Sequence, residues 1–509
     1  MHAQRLRKLR PWVQALAFLL FVFLLVRAGH TGFLTADSFF RLDPLVGLAN
    51  MLAARQIVPA MLIGALIALI AAVLLGRAWC GWICPLGTAL DWAPAAKTKL
   101  HETDPRPWLR QVKYFLLLLI AVLALFGNLT FLILDPITLL YRVVTTALWP
   151  ALAALITAAE PVLYKIPLFQ GPIDAFESAA RGTLLPVAQP VYGLGITLAL
   201  LLAGILALNL VRDRFWCRYL CPLGGLLGLV SKVALVRRTV GNVCIECHRC
   251  ARACPTGTID EARHFESDPS ECTMCLECVP TCSRSGQHFV LHTRPAAWRA
   301  YDPTRRQFFA AAGTAVVAAG LFGAEPAARQ DHPLLIRPPG SQTPEFLSQC
   351  IRCGICLKVC PTAGLQPSIE QAGWRGLWTP VLTPRLGYCD FGCNACGQAC
   401  PTGAIPPLSL DDKRAAVIGR AYVDRSRCIP WVDGRDCIVC EEMCPLPDKA
   451  IVLEDAEVRN FHTGELVTVR RPVVIAERCI GCGICENRCP VNGDAAIRVY
   501  APTDLSAIG

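Results

Sequence analysis

No basic stripe interleaved with aromatic residues runs along this sequence, although its formal net charge is +10. A protein that binds nucleic acid needs clustered Lys and Arg to neutralise phosphates. Much of the positive excess here lies instead beside apolar runs, where Lys and Arg set the orientation of membrane segments. We therefore expect a membrane lipid environment for this chain and no nucleic-acid partner.

The haem attachment pattern C-x-x-C-H is also scarce, since it occurs once, at Cys244–His248. Both of its cysteines belong to the longer string CIECHRCARACP, which fits the [4Fe–4S] pattern C-x2-C-x2-C-x3-C-P. Haem attachment would leave Cys250 and Cys254 without the rest of their set. We therefore expect no covalent haem, and we interpret His248 as a surface residue near an iron–sulfur cluster.

Cysteine itself is abundant, at 28 residues. Most of these cysteines stand two or three residues apart in repeated fours, a separation that makes poor disulfide partners but good ligands for one compact cluster. The spacing therefore argues against a disulfide framework and favours iron–sulfur chemistry.

Six groups of four account for 24 of the cysteines. The last three members of every group are spaced x2 and then x3, and Pro follows the final Cys in five groups. This recurrence predicts six [4Fe–4S] clusters that transfer electrons, with no catalytic side chain. The groups are Cys244, Cys247, Cys250 and Cys254; Cys272, Cys275, Cys278 and Cys282; Cys350, Cys353, Cys356 and Cys360; Cys389, Cys393, Cys396 and Cys400; Cys428, Cys437, Cys440 and Cys444; and Cys479, Cys482, Cys485 and Cys489.

The fourth cysteine of a group ligates the other cluster in two-cluster ferredoxins. Crossed ligation would place Cys282 on the first cluster and Cys254 on the second. Among the four later groups, both pairing of neighbours and nested pairing are open. The triad that starts at Cys389 also matches the radical-SAM spacing, but Cys400 supplies a fourth ligand, and we expect a closed electron-transfer cluster.

Four apolar runs in the first half are candidates for membrane-spanning helices, because about 20 apolar residues cross the hydrocarbon core. Lys and Arg flank the first, second and fourth runs on one side, which predicts that both ends of this domain face the cytoplasm. A further apolar stretch, Val143–Ala159, is either an additional span or an interfacial helix. The four runs are Pro11–Val26, Ile57–Leu75, Tyr114–Leu134 and Val191–Val211.

An internal repeat of the form R-x-W-C-x3-C-P-L-G follows the second and fourth runs, at Arg77–Gly87 and Arg214–Gly224. Residues i and i+4 of a helix are neighbours on one face, so each C-x3-C pair is expected to share a helix face. Three interpretations are open: a four-thiolate metal site holding a seventh centre, redox-active dithiols, or buried structural thiols. The cysteines concerned are Cys80, Cys84, Cys217 and Cys221.

A third kind of segment, Thr304–Ala324, has two arginines followed by small apolar residues. The features together predict a multi-domain protein: an α-helical transmembrane bundle of four spans plus one later span, followed by α+β ferredoxin-like [4Fe–4S] domains. The predicted domains are 1–236 in the membrane, 237–300 with two clusters, 301–325 as an anchor or twin-arginine-like segment, and 326–509 with four clusters.

Two family resemblances cover nearly the whole chain. Residues 1–300, with two C-x3-C-P motifs and a two-cluster ferredoxin behind them, resemble the NapH/MauN family of membrane ferredoxins. Residues 301–509 resemble the MauM/NapG family of four-cluster ferredoxins, and TRRQFF stands where those proteins carry a twin-arginine signal. The alternative interpretation is that Arg305 and Arg306 form the cytoplasmic flank of a fifth span.

The resemblance implies an electron-transfer subunit, similar to a quinol dehydrogenase and not a stand-alone enzyme. It would pass electrons from the quinol pool to a periplasmic reductase, dehydrogenase or cytochrome c. The alternative function is assembly of a metalloenzyme such as a copper oxidase, with the C-x3-C-P cysteines acting as a metal reductase. The expected location is the bacterial inner membrane in several passes, with 237–300 cytoplasmic and 326–509 periplasmic.

Overall fold

The fold is known from a computed structural model that forms two compact units. The first unit comprises Met1–Val143 and Thr197–Gly323, and the second comprises Val144–Ile196 and Ala324–Gly509. The structure describes residues 2–29, 35–93, 108–182, 184–186, 189–292, 305–323, 332–369, 371–459, 461 and 464–501.

Helices dominate the first unit up to its ferredoxin domain. The short helix Thr130–Leu134 is of the 3₁₀ type and Trp216–Leu220 is a π-helix. The helices of this part are His2–Val26, Ser38–Arg41, Pro44–Ala54, Pro59–Leu75, Ala78–Trp82, Pro85–Trp92, Leu109–Leu125, Thr130–Leu134, Pro136–Val143, Gly195–Ala207, Leu208–Leu210, Trp216–Leu220 and Pro222–Ser231.

Each of the four apolar runs contains a helix, but most of these helices are shorter than the run. Within the described residues, two continuous helical stretches are long and apolar enough to cross a membrane, Gln4–Val26 and Pro136–Leu163. The third run is interrupted because Gly127 adopts a left-handed conformation, with φ of 72°, and Asn128 then accepts a hydrogen bond from the backbone N–H of Thr130. The four-span bundle stays a prediction.

The two-cluster ferredoxin also belongs to the first unit. Its outer strands Val236–Val240 and Gln287–Leu291 pair antiparallel, with Val236 opposite Leu291, and enclose both cysteine groups. A smaller pair, Ile259–Asp260 and Glu266–Ser267, lies between the groups. Short helices at Arg249–Arg252, Glu261–Arg263 and Cys278–Thr281 complete this domain.

The twin-arginine-like segment forms a helix at Arg305–Gly323, whereas Thr304 and Ala324 lie outside the described residues. This helix packs lengthwise against Leu109–Leu125. Ala315 is fully buried against Leu119 and Leu123. The contact between these two helices is therefore apolar.

The second unit contains the four-cluster ferredoxin. Its long hairpin pairs Ile451–Arg459 with Leu466–Val474, and Arg420–Val423 pairs with Ile497–Tyr500 around the last two cysteine groups. A third pair joins Leu365–Pro367 to Pro380–Leu382. The helices are Phe346–Gln349, Ile355–Val359, Ala395–Gln398, Leu410–Ala415, Ile429–Val432, Val439–Glu442 and Ile484–Arg488.

Residues 144–196, which follow the third apolar run and include the start of the fourth, belong to the second unit. They form a π-helix Val144–Leu148 and the helices Trp149–Leu163 and Pro167–Ala180. The hydroxyl of Tyr192 donates to the carbonyl oxygen of Leu357 at 3.1 Å, and the amide of Gln366 donates to the carbonyl oxygen of Val191 at 2.9 Å. The four-cluster ferredoxin therefore packs directly against this segment.

Candidate iron–sulfur centres and a four-thiol site

Left-handed residues shape the cysteine loops. In the second group, Met274 and Leu276 on either side of Cys275 have φ of 53° and 64°. Arg352 and Gly354 adopt the same conformation around Cys353, with φ of 58° and 85°. Such residues reverse the chain so that successive backbone N–H groups can face a common anion, as in other anion-binding loops.

The loops converge into small cavities, each lined by four cysteines. In every case three of the cysteines come from one group, and the fourth is the last cysteine of a neighbouring group. The four sets are Cys244, Cys247, Cys250 and Cys282; Cys350, Cys353, Cys356 and Cys400; Cys428, Cys437, Cys440 and Cys489; and Cys479, Cys482, Cys485 and Cys444.

The two remaining groups follow the same rule. Burial, and then the charges of Cys389 and Cys360, raise the pKa of Cys396 to about 12. Burial also raises the pKa of Cys278 to about 12, with Cys254 among the contributing charges. The four cavities thus show a crossed arrangement of neighbouring groups, not a nested one, and the charges that act on Cys278 and Cys396 agree with it in the two remaining sets.

These residues fit [4Fe–4S] clusters in the chemistry of their donors. Each set offers four thiols and few competing polar groups, and several sulfurs accept backbone N–H bonds, as Cys479 does from Ala421 at 3.3 Å. Among the described residues, no three Cys, His, Asp or Glu side chains converge closely enough to hold a single ion. Four thiols around a common space are the donor set that a [4Fe–4S] cluster takes.

His248 lies at the surface beside the first set, as the sequence predicts. Its side chain is 52% exposed, and its Nδ1 lies 2.8 Å from a carboxylate oxygen of Glu261. The ring stands edge-on to Phe265. The residue borders the cavity of the first cysteine set.

The two R-x-W-C-x3-C-P-L-G motifs meet inside the first unit, and all four of their thiols are buried. The guanidinium of Arg77 donates to the carbonyl oxygen of Cys217 at 3.4 Å, and that of Arg214 donates to the carbonyl oxygen of Cys80 at 3.1 Å. Each motif thus supplies the arginine that holds the first cysteine of the other motif. We call Cys80, Cys84, Cys217 and Cys221 the four-thiol site.

The expectation that each C-x3-C pair lies on one helix face is wrong. The helix that contains Cys80 ends at Trp82, and Cys84 is the N-cap of the next helix, Pro85–Trp92. Cys221 is likewise the N-cap of Pro222–Ser231, and its Sγ accepts a bond from Gly224 N at 3.2 Å. The proline of the motif causes the break, because its ring favours the first position of a new helix.

The second cysteine group of the ferredoxin docks on this site. A Cβ added to Gly81 would lie 2.1 Å from the carbonyl oxygen of Thr273, so only glycine allows this approach. The indole N–H of Trp82 donates to the carbonyl oxygen of Met274 at 2.9 Å. Glu277 accepts hydrogen bonds from Arg10 and Arg7 of the N-terminal helix.

Several basic residues that the sequence places in charged loops are buried in this contact. Glu271, 1% exposed, accepts two bonds from Lys113 Nζ at 2.5 and 2.6 Å and one from Arg77 Nη1 at 3.1 Å. Arg214 pairs with Asp91 at 2.6 Å. In the sequence, the only hint of these buried ion pairs is the position of two acidic residues. Asp91 follows the first R-x-W-C-x3-C-P-L-G motif, and Glu271 directly precedes Cys272.

Three family models match the chain, in four regions. A 4Fe-4S binding domain matches residues 57–101 and 194–242, the two regions that hold the C-x3-C-P motifs. A 4Fe-4S dicluster domain matches residues 349–405, and a second kind of 4Fe-4S binding domain matches residues 472–493. No solved structure matches the chain.

Several curated proteins are similar to part of the chain. The methylamine utilization ferredoxin-type protein MauM of Paracoccus denitrificans is 38% identical over 218 residues, which are 40% of this chain and 91% of MauM. The ferredoxin-type protein NapG of Haemophilus influenzae is 33% identical over 222 residues, 41% of this chain and 75% of NapG. YccM of Escherichia coli, described as an electron transport protein, is 29% identical over 270 residues, 50% of this chain and 64% of YccM. The identity to MauM and NapG, together with the crossed cysteine sets, shows that the chain belongs to the MauM/NapG family of ferredoxin-type proteins.

Proposed function

We propose that the chain is a membrane-bound polyferredoxin that passes electrons from membrane quinol to a reductase, dehydrogenase or cytochrome outside the cytoplasm. The observation that carries this proposal is the convergence of cysteines from neighbouring groups into four crossed sets of four. Relatives named ferredoxin-type and electron transport proteins support the same class of function.

The cysteine sets would hold [4Fe–4S] clusters, which supply one-electron transfer when bound. The protein would set the potential through burial and through hydrogen bonds to sulfur. Three groups end in Cys-Pro-Thr, and the threonine hydroxyl stands near the cysteine sulfur, at 3.5 Å for Thr256 and Thr362 and at 3.7 Å for Thr402. A donor near sulfur stabilises the reduced, more negative state.

The proposed topology has four spans plus the later helix Arg305–Gly323, with 237–300 in the cytoplasm and 326–509 outside, in the bacterial inner membrane. The packing of the four-cluster ferredoxin against residues 144–196 supports it, because that segment joins the third apolar run to the start of the fourth. Lys358 Nζ, for example, stands 4.9 Å from the ring centre of Trp149. The charge pattern predicts the outer side for this segment.

The four-thiol site is proposed as a redox or metal site beside the second cluster. Its position favours electron exchange, because Gly81 touches the loop that carries Cys272 and Cys275. A second candidate function, reduction of a metal ion during assembly of a copper oxidase, is favoured by the same four buried thiols. The two functions differ in the acceptor: a protein partner for the first and a soft metal ion for the second.

Iron analysis tests the cluster proposal. Anaerobically purified protein is expected to hold about 24 iron atoms, four per cluster, with a matching amount of acid-labile sulfide. Cys360→Ala should lose one cluster and share the electron paramagnetic resonance spectrum of Cys396→Ala, because Cys360 completes the set of Cys389, Cys393 and Cys396. The control is Cys356→Ala, which removes a ligand of the other cluster. A Cys360→Ala spectrum that matches Cys356→Ala would rule out crossed ligation, and covalent haem would overturn the cluster assignment.

A further inference from the structure

A cleft in the described part of the first unit has a volume of about 970 Å³. One wall comes from the apolar helices His2–Val26 and Pro59–Leu75, and another comes from the helix Ala78–Trp82. The ferredoxin supplies the remaining wall through its strand Gln287–Leu291 and the loop of the second cysteine group. The volume lies within the usual range for small-molecule sites, which are concave and mostly apolar with a few polar groups.

Two residues that line this cleft each have a buried polar atom without a partner among the described residues. The side-chain oxygen of Gln287, a residue only 7% exposed, accepts no hydrogen bond from the described residues. The indole N–H of Trp79 likewise donates to none of them. Because buried polar groups are normally paired, an unpaired acceptor and an unpaired donor in one cleft indicate a ligand that carries both an O–H group and a carbonyl or hydroxyl oxygen.

The cleft also adjoins the candidate redox centres of this unit. Gln287 borders both the cleft and the cavity of the first cysteine set. Met274 and Leu276, which flank Cys275 of the second set, line the cleft as well. Trp79 precedes Cys80 of the four-thiol site. A ligand in the cleft would therefore lie next to both clusters without direct contact with their sulfurs.

We propose that this cleft binds the head group of a membrane quinol, with Gln287 as a positioning residue that accepts a hydrogen bond from the quinol hydroxyl. The inference rests on the proposed function, and it assigns the quinol of that function to this cleft. An apolar tail would run along the membrane helices, and Trp79 would donate to the second oxygen. Oxidation of the bound quinol to quinone would break two O–H bonds, release two protons to solvent on the exposed side of His288 and release two electrons, one for each of the clusters that the two cysteine sets of this domain would hold.

Photoaffinity labelling tests this site without any dependence on turnover. A short-chain azido-benzoquinone and its naphthoquinone counterpart are added to the full chain in detergent, illuminated and mapped by peptide mass spectrometry. Competable adducts are expected in residues 71–83 and 274–290. Gln287→Met keeps the size of the side chain but removes the acceptor, so the affinity of the reduced quinol, measured by its competition with labelling, should fall by roughly 2- to 13-fold, the effect of one neutral hydrogen bond.

A second variant fills the cleft instead of removing a polar group. Val290 lines the cleft and is 40% exposed, so Val290→Trp should fold and should block labelling. The matched control is Leu291→Trp on the same strand, which lies outside the lining and should label as the unmodified chain does. Unchanged iron content in all variants verifies that the ferredoxin has folded.

The outcomes of these experiments distinguish an error in the assigned cleft from an error in the proposed quinol oxidation. Saturable labelling that maps elsewhere, or that persists in Val290→Trp, would overturn the assignment of this cleft and leave quinol oxidation standing. An absence of saturable labelling by either quinone would overturn both the cleft and the proposed quinol function.

Discussion

Replacement of Glu271 by Gln is expected to destabilise the first unit by about 3–5 kcal/mol, the usual cost of removing one partner from a buried ion pair. Lys113 and Arg77, which are 0% and 1% exposed, would lose the carboxylate that compensates their buried charges. Burial alone would raise the pKa of Glu271, but the charges of Lys113 and Arg77 hold it below the usual range. The carboxylate is thus charged in the folded protein, and glutamine cannot replace that charge.

Thermal loss of the visible iron–sulfur absorbance would measure the effect, since Glu271 precedes Cys272 and holds its loop. The matched control is Asp436→Asn, which removes an exposed ion pair with Arg470 in which both side chains are 46% exposed. Its expected cost is about 0–1 kcal/mol. Equal stability of the two variants would show that the buried network does not hold the ferredoxin to the helices.

A phosphatase fused after Gly509 is expected to be fully active, because the four-cluster ferredoxin is proposed to lie outside the cytoplasm. The same enzyme fused after His292, at the end of the two-cluster ferredoxin, should be inactive, and a fluorescent protein should report the reverse at both positions. The helix Arg305–Gly323 packs against Leu109–Leu125, and we therefore expect the chain to stay intact and membrane-bound.

The role of the two arginines can be tested in the same fusion. Exchange of Arg305 and Arg306 for Lys keeps the positive flank of a span but alters the twin-arginine pattern. Loss of phosphatase activity would indicate export as folded cargo, and retained activity would indicate an ordinary fifth span. Inactive phosphatase after Gly509 in the unmodified chain would contradict the topology and place all six clusters in one compartment.

Crossed ligation could be predicted from the sequence because cysteine spacing limits how the chain can surround one cluster. The pairing of later groups could not, since both neighbouring and nested pairs satisfy the same spacing. It depends on which strands meet, and the antiparallel pair Arg420–Val423 with Ile497–Tyr500 brings Cys444 and Cys489 to each other's triads.

The basic residues beside the motifs show a kind of contact that charge patterns do not indicate. Arg77, Lys113 and Arg214 suggest cytoplasmic loops, but the structure buries all three in contacts between the motifs, the helices and the ferredoxin. Their partners stand far away along the chain: Glu271 is 158 residues from Lys113. A contact between residues so far apart leaves no local periodicity, so the sequence could not indicate it.

The sequence alone could not predict that residues 144–196 pack against the four-cluster ferredoxin either. Tyr192 stands near the start of the fourth apolar run, but its side chain packs against the core that contains Cys350 and Cys356. A small domain with few long apolar elements gains core area from its cysteines and from neighbouring segments. Composition alone does not reveal such shared burial.

Quinol-driven reduction of the clusters tests the central claim most directly. The full chain is reconstituted anaerobically in liposomes with its clusters oxidised, a reduced short-chain benzoquinol or naphthoquinol is added, and electron paramagnetic resonance at low temperature follows the reduced clusters. Our account predicts saturable reduction by at least one of the two quinols. Clusters that dithionite reduces but that both quinols leave oxidised would contradict it.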